Sequence, residues 1–306
     1  MLNRPEISII VLTKNAKENI KRTLSVILTQ KISKSFEVIV IDSGSTDGTI
    51  DIIKSFKTVR LIRKNPKTFS HGGTRNLGGK LARASKYLVF LNGDAIPKDR
   101  NWLSPLIRGL ERDKKIAGVF SRHIAKEGCY IYMAGDIAKG MPLEKRVSAL
   151  SALPFGERET ALRRMMWFST VSCAIRKSFW VKTRFRTDIY MAEDQDWAKS
   201  MLIRGRSIVY EPASAVYHSH NYGIRQFFWY NYNSEKAFNI ILKSRKNVFF
   251  LLPRLIRQLF CSTLETVMIM RVPASKRVSR YGLLGEIIIA LLSRYAAIFG
   301  ELLANI

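Results

Sequence analysis

The sequence predicts an α/β protein with a mostly parallel sheet flanked by helices, followed by a basic, amphipathic helical extension. Three observations indicate this fold class: continuous apolar runs typical of buried parallel strands, helical spacing of apolar residues between the runs, and a C-terminal third that is both basic and apolar. With 306 residues, the chain is long enough for one large domain, or for one domain and an appendage.

Four apolar runs in the first hundred residues are interpreted as strands, namely Ile7–Leu12, Glu37–Ile41, Val59–Ile62 and Tyr87–Leu91. Segments that we interpret as helices follow the first three, at Lys17–Gln30, Thr49–Phe56 and Gly73–Ala84. Strands that alternate with helices predict a doubly wound sheet, in which ligands bind beyond the carboxyl ends of the strands.

After about residue 115 the alternation loosens. Two more strands are predicted at Ile116–Phe120 and Val171–Ile175, and the stretch between them is loop-rich near Gly128–Glu157. Tyr190–Gly205 is typical of an acidic entry to a helix that a glycine ends, and Ser207–Tyr210 is typical of a short strand.

The remainder of the chain is predicted to be helical, so we expect a main domain over residues 1–225 and a helical region over residues 226–306. Near its end an apolar stripe has helical spacing: Leu284, Ile288, Leu291, Tyr295, Ile298 and Leu302. Such a stripe fits a membrane surface or, alternatively, a partner helix or a homo-oligomer contact.

The net charge of +27 is the strongest signal in the composition. Basic chains bind nucleic acid, anionic membranes or phosphorylated substrates, and a solvated basic surface is the alternative. A nucleic-acid binder would leave the acidic cluster around Asp194 unexplained, because carboxylates repel phosphates. We therefore expect no nucleic-acid partner.

The N-terminus lacks a signal-peptide pattern, and no stretch approaches the roughly 18 to 20 uninterrupted apolar residues of a spanning helix. The odd cysteine count argues against a disulfide framework and favours a reducing compartment. We therefore expect a cytoplasmic protein, with peripheral docking on the inner face of the cell membrane through its basic, apolar C-terminal third.

Polar clusters follow the four N-terminal strands: Thr13–Asn15 (TKN), Asp42–Thr49 (DSGSTDGT), Phe69–Asn76 (FSHGGTRN) and Asn92–Ala95 (NGDA). One such cluster would indicate a turn. Four at successive strand ends predict a common site, because the carboxyl ends of parallel strands meet at one edge of the sheet.

Two of these clusters carry a carboxylate directly after a buried strand. Asp42 is placed to accept a hydrogen bond from a base or a ribose, and an ionised Asp94 fits a divalent cation that bridges a diphosphate. The alternatives are local: Ser45 and Thr46 as helix caps, and a turn that Pro97 stiffens.

The FSHGGTRNLG segment is typical of a loop that approaches a phosphate. Gly72 and Gly73 allow close backbone approach, the helix that follows presents N–H groups to an anion, and Arg75 adds a forked donor. In the alternative interpretation Ser70 or Thr74 merely caps that helix.

Three carboxylates, Glu193, Asp194 and Asp196, lie within four positions. Like-charge neighbours raise the pKa of a carboxylate, which makes a usable general base near neutral pH; helix N-terminal acids are the alternative. His218 and His220 share one face of an extended segment, a spacing that fits metal ligation or hydrogen bonding in a core.

Taken together, these motifs resemble the family 2 inverting glycosyltransferases, whose nucleotide-sugar-dependent fold is called GT-A. SIIVLTKN and EVIVIDSGSTDGT match the opening strand and nucleotide-binding segment, FLNGDAIP lies where the family has its Asp-x-Asp metal motif, and AEDQDWAKSMLIRG lies where it has its acidic catalytic segment. The similarity covers roughly residues 5–225. FSHGGTRNLG, NGDAIP and YEPASAVYHSHNYG look most like bacterial rhamnosyltransferases that use dTDP-rhamnose.

The chain departs from this family at two positions. Ser43 stands where many members have a second Asp, and Asn92 stands where the first Asp of the metal motif would be. The resemblance therefore implies a Mg²⁺ or Mn²⁺ site in which Asp94 is retained and His218 or His220 completes the ligand set.

The resemblance implies transfer of a sugar from a nucleoside diphosphate to an acceptor hydroxyl of a cell-surface glycan or a lipid-linked oligosaccharide, with inversion in one displacement. It implies Asp194 as general base and Glu193 as its neighbour or as a residue that orients the acceptor. The residues implied to bind the nucleotide sugar are Thr13, Asn15, Asp42, Ser45, His71, Arg75, Asn92 and Gly93.

Two other activities are considered. The first is the same transfer from another donor, such as a UDP-hexose. The second is nucleotidyl transfer, which would need a tighter glycine-rich loop with a lysine directly after the first strand, and LTKNAKEN does not supply one.

Overall fold

The computed structural model describes residues 4–243 and 282–305. The chain divides into two compact units, the first made of residues 1–123, 141–188 and 193–218, and the second of residues 124–140, 189–192 and 219–306. Residues 124–140 thus group with the C-terminal region, an association that the sequence pattern does not indicate.

The strands of the described residues are β1 Ile7–Thr13, β2 Phe36–Asp42, β3 Val59–Arg63, β4 Tyr87–Asn92, β5 Ile96–Pro97, β6 Ile116–Ile124, β7 Arg146–Ser148, β8 Ser172–Arg176 and β9 Ser207–Tyr217. The helices are α1 Lys17–Leu28, α2 Thr49–Lys54, α3 His71–Leu81, α4 Leu103–Glu111, α5 Ile131–Gly140, α6 Arg158–Met165, α7 Lys177–Lys182, α8 Glu193–Ile203, α9 Ile224–Leu242 and α10 Gly282–Leu303.

One sheet runs through the first unit in the order β3-β2-β1-β4-β8-β6-β9-β5, and β7 pairs with β9. β1 pairs in parallel with β2 and β4, and β2 pairs in parallel with β3. β8 runs antiparallel to β4 and β6, while β5 and β7 run antiparallel to β9. The α/β fold class is confirmed: β3, β2, β1 and β4 form the parallel, helix-flanked part of the sheet, and antiparallel pairs complete it.

The apolar runs become strands because the central strands are covered on both faces. Ile9 and Ile10 point to opposite sides of β1, yet neither is accessible to solvent. On α1, Ile20, Leu24 and Ile27 are fully buried at helical spacing. Each such side chain contributes roughly 1.5–3 kcal/mol of transfer free energy. This core holds the carboxyl ends of β1, β2 and β4 in register.

Two expectations for the middle of the chain need correction. The predicted loop-rich stretch Gly128–Glu157 contains helix α5 and strand β7, and α5 buries Tyr132 and Met133 in a cluster with Ile287 of α10. The predicted short strand Ser207–Tyr210 continues to Tyr217, because Val216 and Tyr217 at its end pair with β5. Both errors arise where distant packing, rather than local periodicity, stabilises the element.

Helices α5, α9 and α10 contain most of the described residues of the second unit. The part of the predicted helical region that falls on residues 244–281 lies outside the described residues. Tyr132 of α5 donates a hydrogen bond to Ser293 of α10 at 3.1 Å, and Arg294 pairs with Asp136 at 2.7 Å. Of the predicted stripe, Leu284, Ile288 and Tyr295 are exposed, whereas Ile298 is buried. The exposed apolar face of α10 is instead Leu284, Ile288, Leu292, Tyr295, Phe299 and Leu303. Over the described ranges, none of the helices combines the length and the apolar character that crossing a bilayer requires.

Candidate active site

A cavity of about 300 Å³ opens at the carboxyl ends of β1 and β4. It is the location at which open parallel sheets bind ligands. The cavity brings together six of the predicted site residues: Thr13, Asn15, His71, Asn92, Gly93 and Asp94. It is also lined by residues that were not assigned a role from the sequence, among them Lys14, Asn19, Ser43 and Phe69.

Thr13 carries an unused polar atom in this cavity. Its Oγ1 is buried and has no hydrogen-bond partner among the described residues. Gly93 passes so close that a Cβ there would lie 2.7 Å from the same oxygen, and the Gly93 N–H donates to the Leu12 carbonyl at 2.7 Å. A buried hydroxyl without a partner costs free energy, so this atom fits a group that accepts or donates a hydrogen bond in the cavity.

Asp42 organises the loop after β2. It is fully buried, and its Oδ1 accepts from the N–H groups of Gly44 at 3.0 Å and Ser45 at 2.9 Å, while Ser45 Oγ donates to Oδ2. The Asn15 N–H donates to Ser45 Oγ at 2.8 Å, which ties this loop to the end of β1. Asp42 and Ser45 therefore form hydrogen bonds within their own loop. A contact of either residue with a nucleoside stays a prediction.

Arg75 links three of the predicted clusters. Its guanidinium is 3% exposed, donates from Nη1 to Glu193 Oε1 at 2.6 Å and from Nη2 to Asn92 Oδ1 at 3.1 Å. Ser70 caps the same helix by accepting from the Gly73 N–H at 3.1 Å. Arg75 thus links Glu193, at the start of α8, to Asn92, at the end of β4. A contact of Arg75 with the donor stays a prediction.

The acidic segment starts α8 directly after Ala192, which has a left-handed φ of 64°. Asp194 Oδ2 accepts from the Thr170 N–H at 3.0 Å and from the Thr170 hydroxyl at 3.1 Å. Burial, and next the Glu193 carboxylate, raise the pKa of Asp194 to about 6; Thr170 and Arg75 oppose the shift. A carboxylate with this pKa is a good general base near neutral pH.

His71 lines the cavity, and the Asp194 charge acts on its imidazole. Burial, and next the Arg75 charge, lower the pKa of His71 to about 4, while Asp194 acts in the opposite direction. The imidazole is therefore neutral at physiological pH and interacts with a ligand by hydrogen bonding and packing rather than by charge.

Asp94 and His218, two of the predicted metal ligands, lie close together. His218 Nε2 lies 3.6 Å from Asp94 Oδ2, with side chains 13% and 31% exposed respectively. The His218 ring packs edge-on against His123 with centroids 5.4 Å apart, and His123 Nε2 lies 3.3 Å from Ser169 Oγ. Burial, and next His218, lower the pKa of His123 to about 3, so its ring is neutral.

A carboxylate oxygen beside an imidazole nitrogen is a ligand set that fits Mn²⁺ and other divalent cations. The ligand atoms of Asp94 and His218 lie within 4.8 Å of each other, which is close enough for both to hold one ion. His220, the other predicted ligand, belongs to the second unit, where its ring stacks on Tyr222 with centroids 5.2 Å apart.

Sequence reasoning missed His123 and Thr170. Neither lies in a recognisable motif: His123 is the second-last residue of β6, and Thr170 lies just before β8. The only available signal was position, because both residues sit where β6 ends and β8 begins, at the same sheet edge as the predicted clusters.

Comparison with known proteins agrees with this geometry. The sequence profile of Glycosyl transferase family 2 matches residues 8–183, which is more than half of the chain and includes both β1 and β4. The chain belongs to glycosyl transferase family 2. The predicted family is thereby confirmed, and the matched region contains every predicted nucleotide-sugar residue, while Asp194 lies beyond it.

Two curated relatives in this family are O-antigen chain rhamnosyltransferases. WbaN of Salmonella anatum is 29% identical over 192 residues, which cover 63% of this chain and 59% of WbaN. RfbN of Salmonella typhimurium is 28% identical over 228 residues, which cover 73% of this chain and 69% of RfbN. The chain therefore aligns with less than two thirds of WbaN.

A solved glycosyltransferase has a similar fold. The mannosyltransferase PcManGT from Pyrobaculum calidifontis, in complex with GDP-Man and Mn²⁺, superposes with a TM-score of 0.57 at 17% identity. The match covers 97% of this chain and 74% of that protein. This likeness confirms the GT-A type of fold.

Proposed function

We propose that this glycosyltransferase transfers rhamnose, with inversion, from dTDP-rhamnose to an acceptor hydroxyl of a growing cell-surface glycan or lipid-linked oligosaccharide. The two rhamnosyltransferase relatives support the donor sugar and the class of acceptor. The observation that carries the chemistry is Asp194, a carboxylate with a pKa of about 6 beside the cavity that His71 lines.

Inversion in one displacement requires a base on the acceptor side of the sugar. Asp194 accepts the proton of the acceptor hydroxyl as that oxygen bonds to the anomeric carbon and the nucleoside diphosphate leaves. Thr170 fixes the Asp194 carboxylate with two hydrogen bonds. Glu193 is neutralised by Arg75 and orients the acceptor side of the site.

The donor occupies the cavity at the ends of β1 and β4. Thr13 Oγ1 is the unpartnered buried atom there, and Asn15, Asn92 and Gly93 line the same space. We assign the nucleoside to Thr13 and the loop that Asp42 and Ser45 build, and the sugar to the neutral His71.

Asp94 and His218 are proposed to hold a Mn²⁺ or Mg²⁺ ion, with His220 as the candidate third ligand. When bound, the ion would neutralise charge on the departing diphosphate. In the chain itself, His123 and Ser169 hold the ring of His218 in place.

The test is a donor assay with a panel that includes dTDP-rhamnose, UDP-glucose and GDP-mannose. We expect hydrolysis or transfer with dTDP-rhamnose at least about tenfold faster than with the other donors. Preference for a UDP-hexose would keep the family activity and overturn the donor assignment. Turnover of none of these donors would contradict the proposed function.

Asp194→Asn is the matched test of the base. The amide keeps the shape and accepts the Thr170 hydrogen bonds but cannot take a proton, so kcat should fall by about 10²–10⁴-fold with donor binding unchanged. Donor affinity is measured by calorimetric titration with dTDP. Loss of dTDP binding with transfer preserved would remove Asp194 from the catalytic role.

We propose that the enzyme works peripherally at the inner face of the cell membrane. The exposed apolar face of α10 and the net charge of +27 support contact with anionic lipid. A homo-oligomer that covers the same face is the competing arrangement, and it would show as a concentration-dependent mass in sedimentation.

A further inference from the structure

Asn92 is the last residue of β4 and lines the proposed donor cavity together with Gly93 and Asp94. It stands where the family's metal motif has its first Asp. A carboxylate offers only acceptor oxygens, whereas an amide offers an acceptor at one end and two N–H donors at the other. The end of the amide that faces the cavity therefore decides which atoms of a ligand it can bind.

Arg75 fixes the orientation of this amide. Its Nη2 donates to Asn92 Oδ1 at 3.1 Å, and its Nη1 donates to Glu193 Oε1 at 2.6 Å. The guanidinium has donors and no acceptor, so the opposite orientation of the amide would place N–H groups against N–H groups. Because the Arg75 side chain is only 3% exposed, water could not compensate for that arrangement. The oxygen end of the amide is therefore bound to Arg75.

The nitrogen end of the amide remains for a ligand. Among the described residues, none accepts a hydrogen bond from Asn92 Nδ2, and the residue is only partly buried. The Asn92 N–H donates to the Val171 carbonyl at 2.9 Å, and the Ala95 N–H donates to the Asn92 carbonyl at 3.0 Å. The second bond closes a turn that contains Asp94, so the side chains of Asn92 and Asp94 start from the same short turn.

The charge of Arg75 makes Nδ2 a stronger donor. A cation that binds the amide oxygen polarises the amide, so the hydrogen bonds on its two ends strengthen each other. A polarised N–H group binds an anionic oxygen more strongly than a neutral one. In the proposed donor the anionic oxygens belong to the diphosphate, which is also the group that an ion at Asp94 would contact. The chemistry and the position of Nδ2 thus select the same part of the donor.

We propose that the side-chain amide of Asn92 donates a hydrogen bond directly to an anionic oxygen of the donor's diphosphate, and that the buried Arg75 acts on the diphosphate through this amide. The inference rests on the proposed function, because it needs the donor in this cavity. A carboxylate at this position reaches a phosphate through a cation, whereas the amide reaches it without one. The chain should therefore bind a nucleoside diphosphate even when divalent ions are removed.

Binding of dTDP and of thymidine to the full chain in the presence of EDTA tests the contact. Calorimetry measures dTDP, and an NMR titration measures the weaker thymidine. Asn92→Asp keeps the shape of the side chain but replaces its N–H donor with an anionic acceptor, so dTDP binding should weaken by roughly tenfold or more. Thymidine lacks the diphosphate, and its affinity should not change. Unchanged dTDP affinity, or an equal loss for both ligands, would overturn the proposal.

Asn19→Asp is the matched control, because Asn19 lines the same cavity, is partly buried and would gain the same charge. It should weaken dTDP binding clearly less than Asn92→Asp does. Asn92→Ala removes the amide without adding a charge and should still weaken dTDP binding by about tenfold. Thermal unfolding checks that each variant is folded. Equal losses in the two Asp variants, with normal dTDP binding by Asn92→Ala, would reduce the effect to charge repulsion and refute the contact.

Mn²⁺ provides an independent readout at the same position. Asn92→Asp supplies an ion beside Asp94 with a second carboxylate. Addition of Mn²⁺ should therefore strengthen dTDP binding by a larger factor in this variant than in the wild type. An equal or larger gain in the wild type would mean that the side chain at position 92 does not face the phosphates.

Other nucleotides separate this inference from the proposed function. The same comparison is made with UDP and uridine and with GDP and guanosine. Binding of UDP or GDP in place of dTDP would contradict the proposed donor, while the effect of Asn92→Asp on the diphosphate would still be measured. Turnover of dTDP-rhamnose by the wild type, together with full dTDP affinity in Asn92→Asp, would leave the proposed function intact and overturn this inference alone.

Discussion

At the scale of single residues, the neighbours of Asp194 set the pKa of its carboxyl group. Burial and the adjacent Glu193 raise the pKa of its carboxyl, whereas Thr170 and Arg75 stabilise the charged form. Burial and Arg75 lower the pKa of His71. Two titratable groups beside one cavity are thus shifted in opposite directions, so between pH 7 and 8 most of the carboxylate is ionised and the imidazole is neutral.

We expect kcat/KM to depend on a single ionisation near pH 6. Asp194 acts as a base only when deprotonated, so the rate should rise with pH through about 6 and level off above it. His71→Gln should keep this inflection, because His71 titrates at about 4. The measurement is a pH–rate profile of both proteins. An inflection that disappears in His71→Gln would transfer the base role to the histidine.

Arg75 should act on the rate through Glu193 and Asp194. Arg75→Ala removes a charge that lowers the pKa of Asp194, so the inflection should move to higher pH. It also leaves Glu193 buried without its partner, at a cost of about 3 kcal/mol in the free energy of unfolding. Arg75→Lys keeps the charge and should keep the inflection. An effect confined to the donor KM, with the pH profile unchanged, would instead support a direct donor contact.

At the scale of elements, α3 carries two adjacent glycines with different roles. A Cβ at Gly72 would lie 1.8 Å from the backbone carbonyl oxygen of Arg186, a group that cannot move aside. A Cβ at Gly73 would meet Ser70 Oγ at 2.6 Å, the movable end of a side chain. The first glycine therefore lets α3 pack against the segment that precedes the acidic cluster, rather than approach a ligand.

Gly72→Ala should destabilise the fold by about 2–3 kcal/mol or more, through overpacking against main chain. Gly73→Ala should cost about 1 kcal/mol, the value of the Ser70 cap that it disturbs. Urea unfolding of both variants measures the difference. Equal losses in the two variants would show that the close approach of α3 to Arg186 is relaxed in solution.

At the scale of the whole molecule, the charge and the apolar surface act together. Lys and Arg outnumber Asp and Glu by 27, and the described part of the second unit exposes the apolar face of α10. Anionic lipid attracts such a chain electrostatically, and apolar side chains then enter the headgroup region.

Binding to vesicles should require both charge and the α10 face. We expect sedimentation with vesicles that contain anionic phospholipid at low salt, and release at about 0.5 M salt, where screening is strong. Phe299→Asp should reduce binding, whereas Ile203→Asp, which changes a similarly exposed apolar residue in the first unit (60% against 58% for Phe299), should not. Unchanged vesicle binding in Phe299→Asp would remove the face of α10 from membrane docking.

The fold class, the family and many of the residues around the candidate donor cavity could be predicted from the amino-acid sequence alone. Continuous apolar runs that alternate with helices are typical of a parallel sheet covered on both faces, and the residues after each parallel strand then meet at one edge. Six predicted site residues accordingly line one cavity. The fold class and the family could be predicted because they depend on short-range patterns along the chain, whereas the roles of the site residues stay predictions.

Which side chains contact each other could not be predicted, because it depends on how distant segments of the chain pack. Arg75 is separated from Glu193 by 118 positions, and Asp194 from Thr170 by 24, so no local pattern pairs them. The same holds for α5 and for the length of β9. Burial and long-range contacts set the pKa values and the neighbours of each group, and both exist only once the chain has packed.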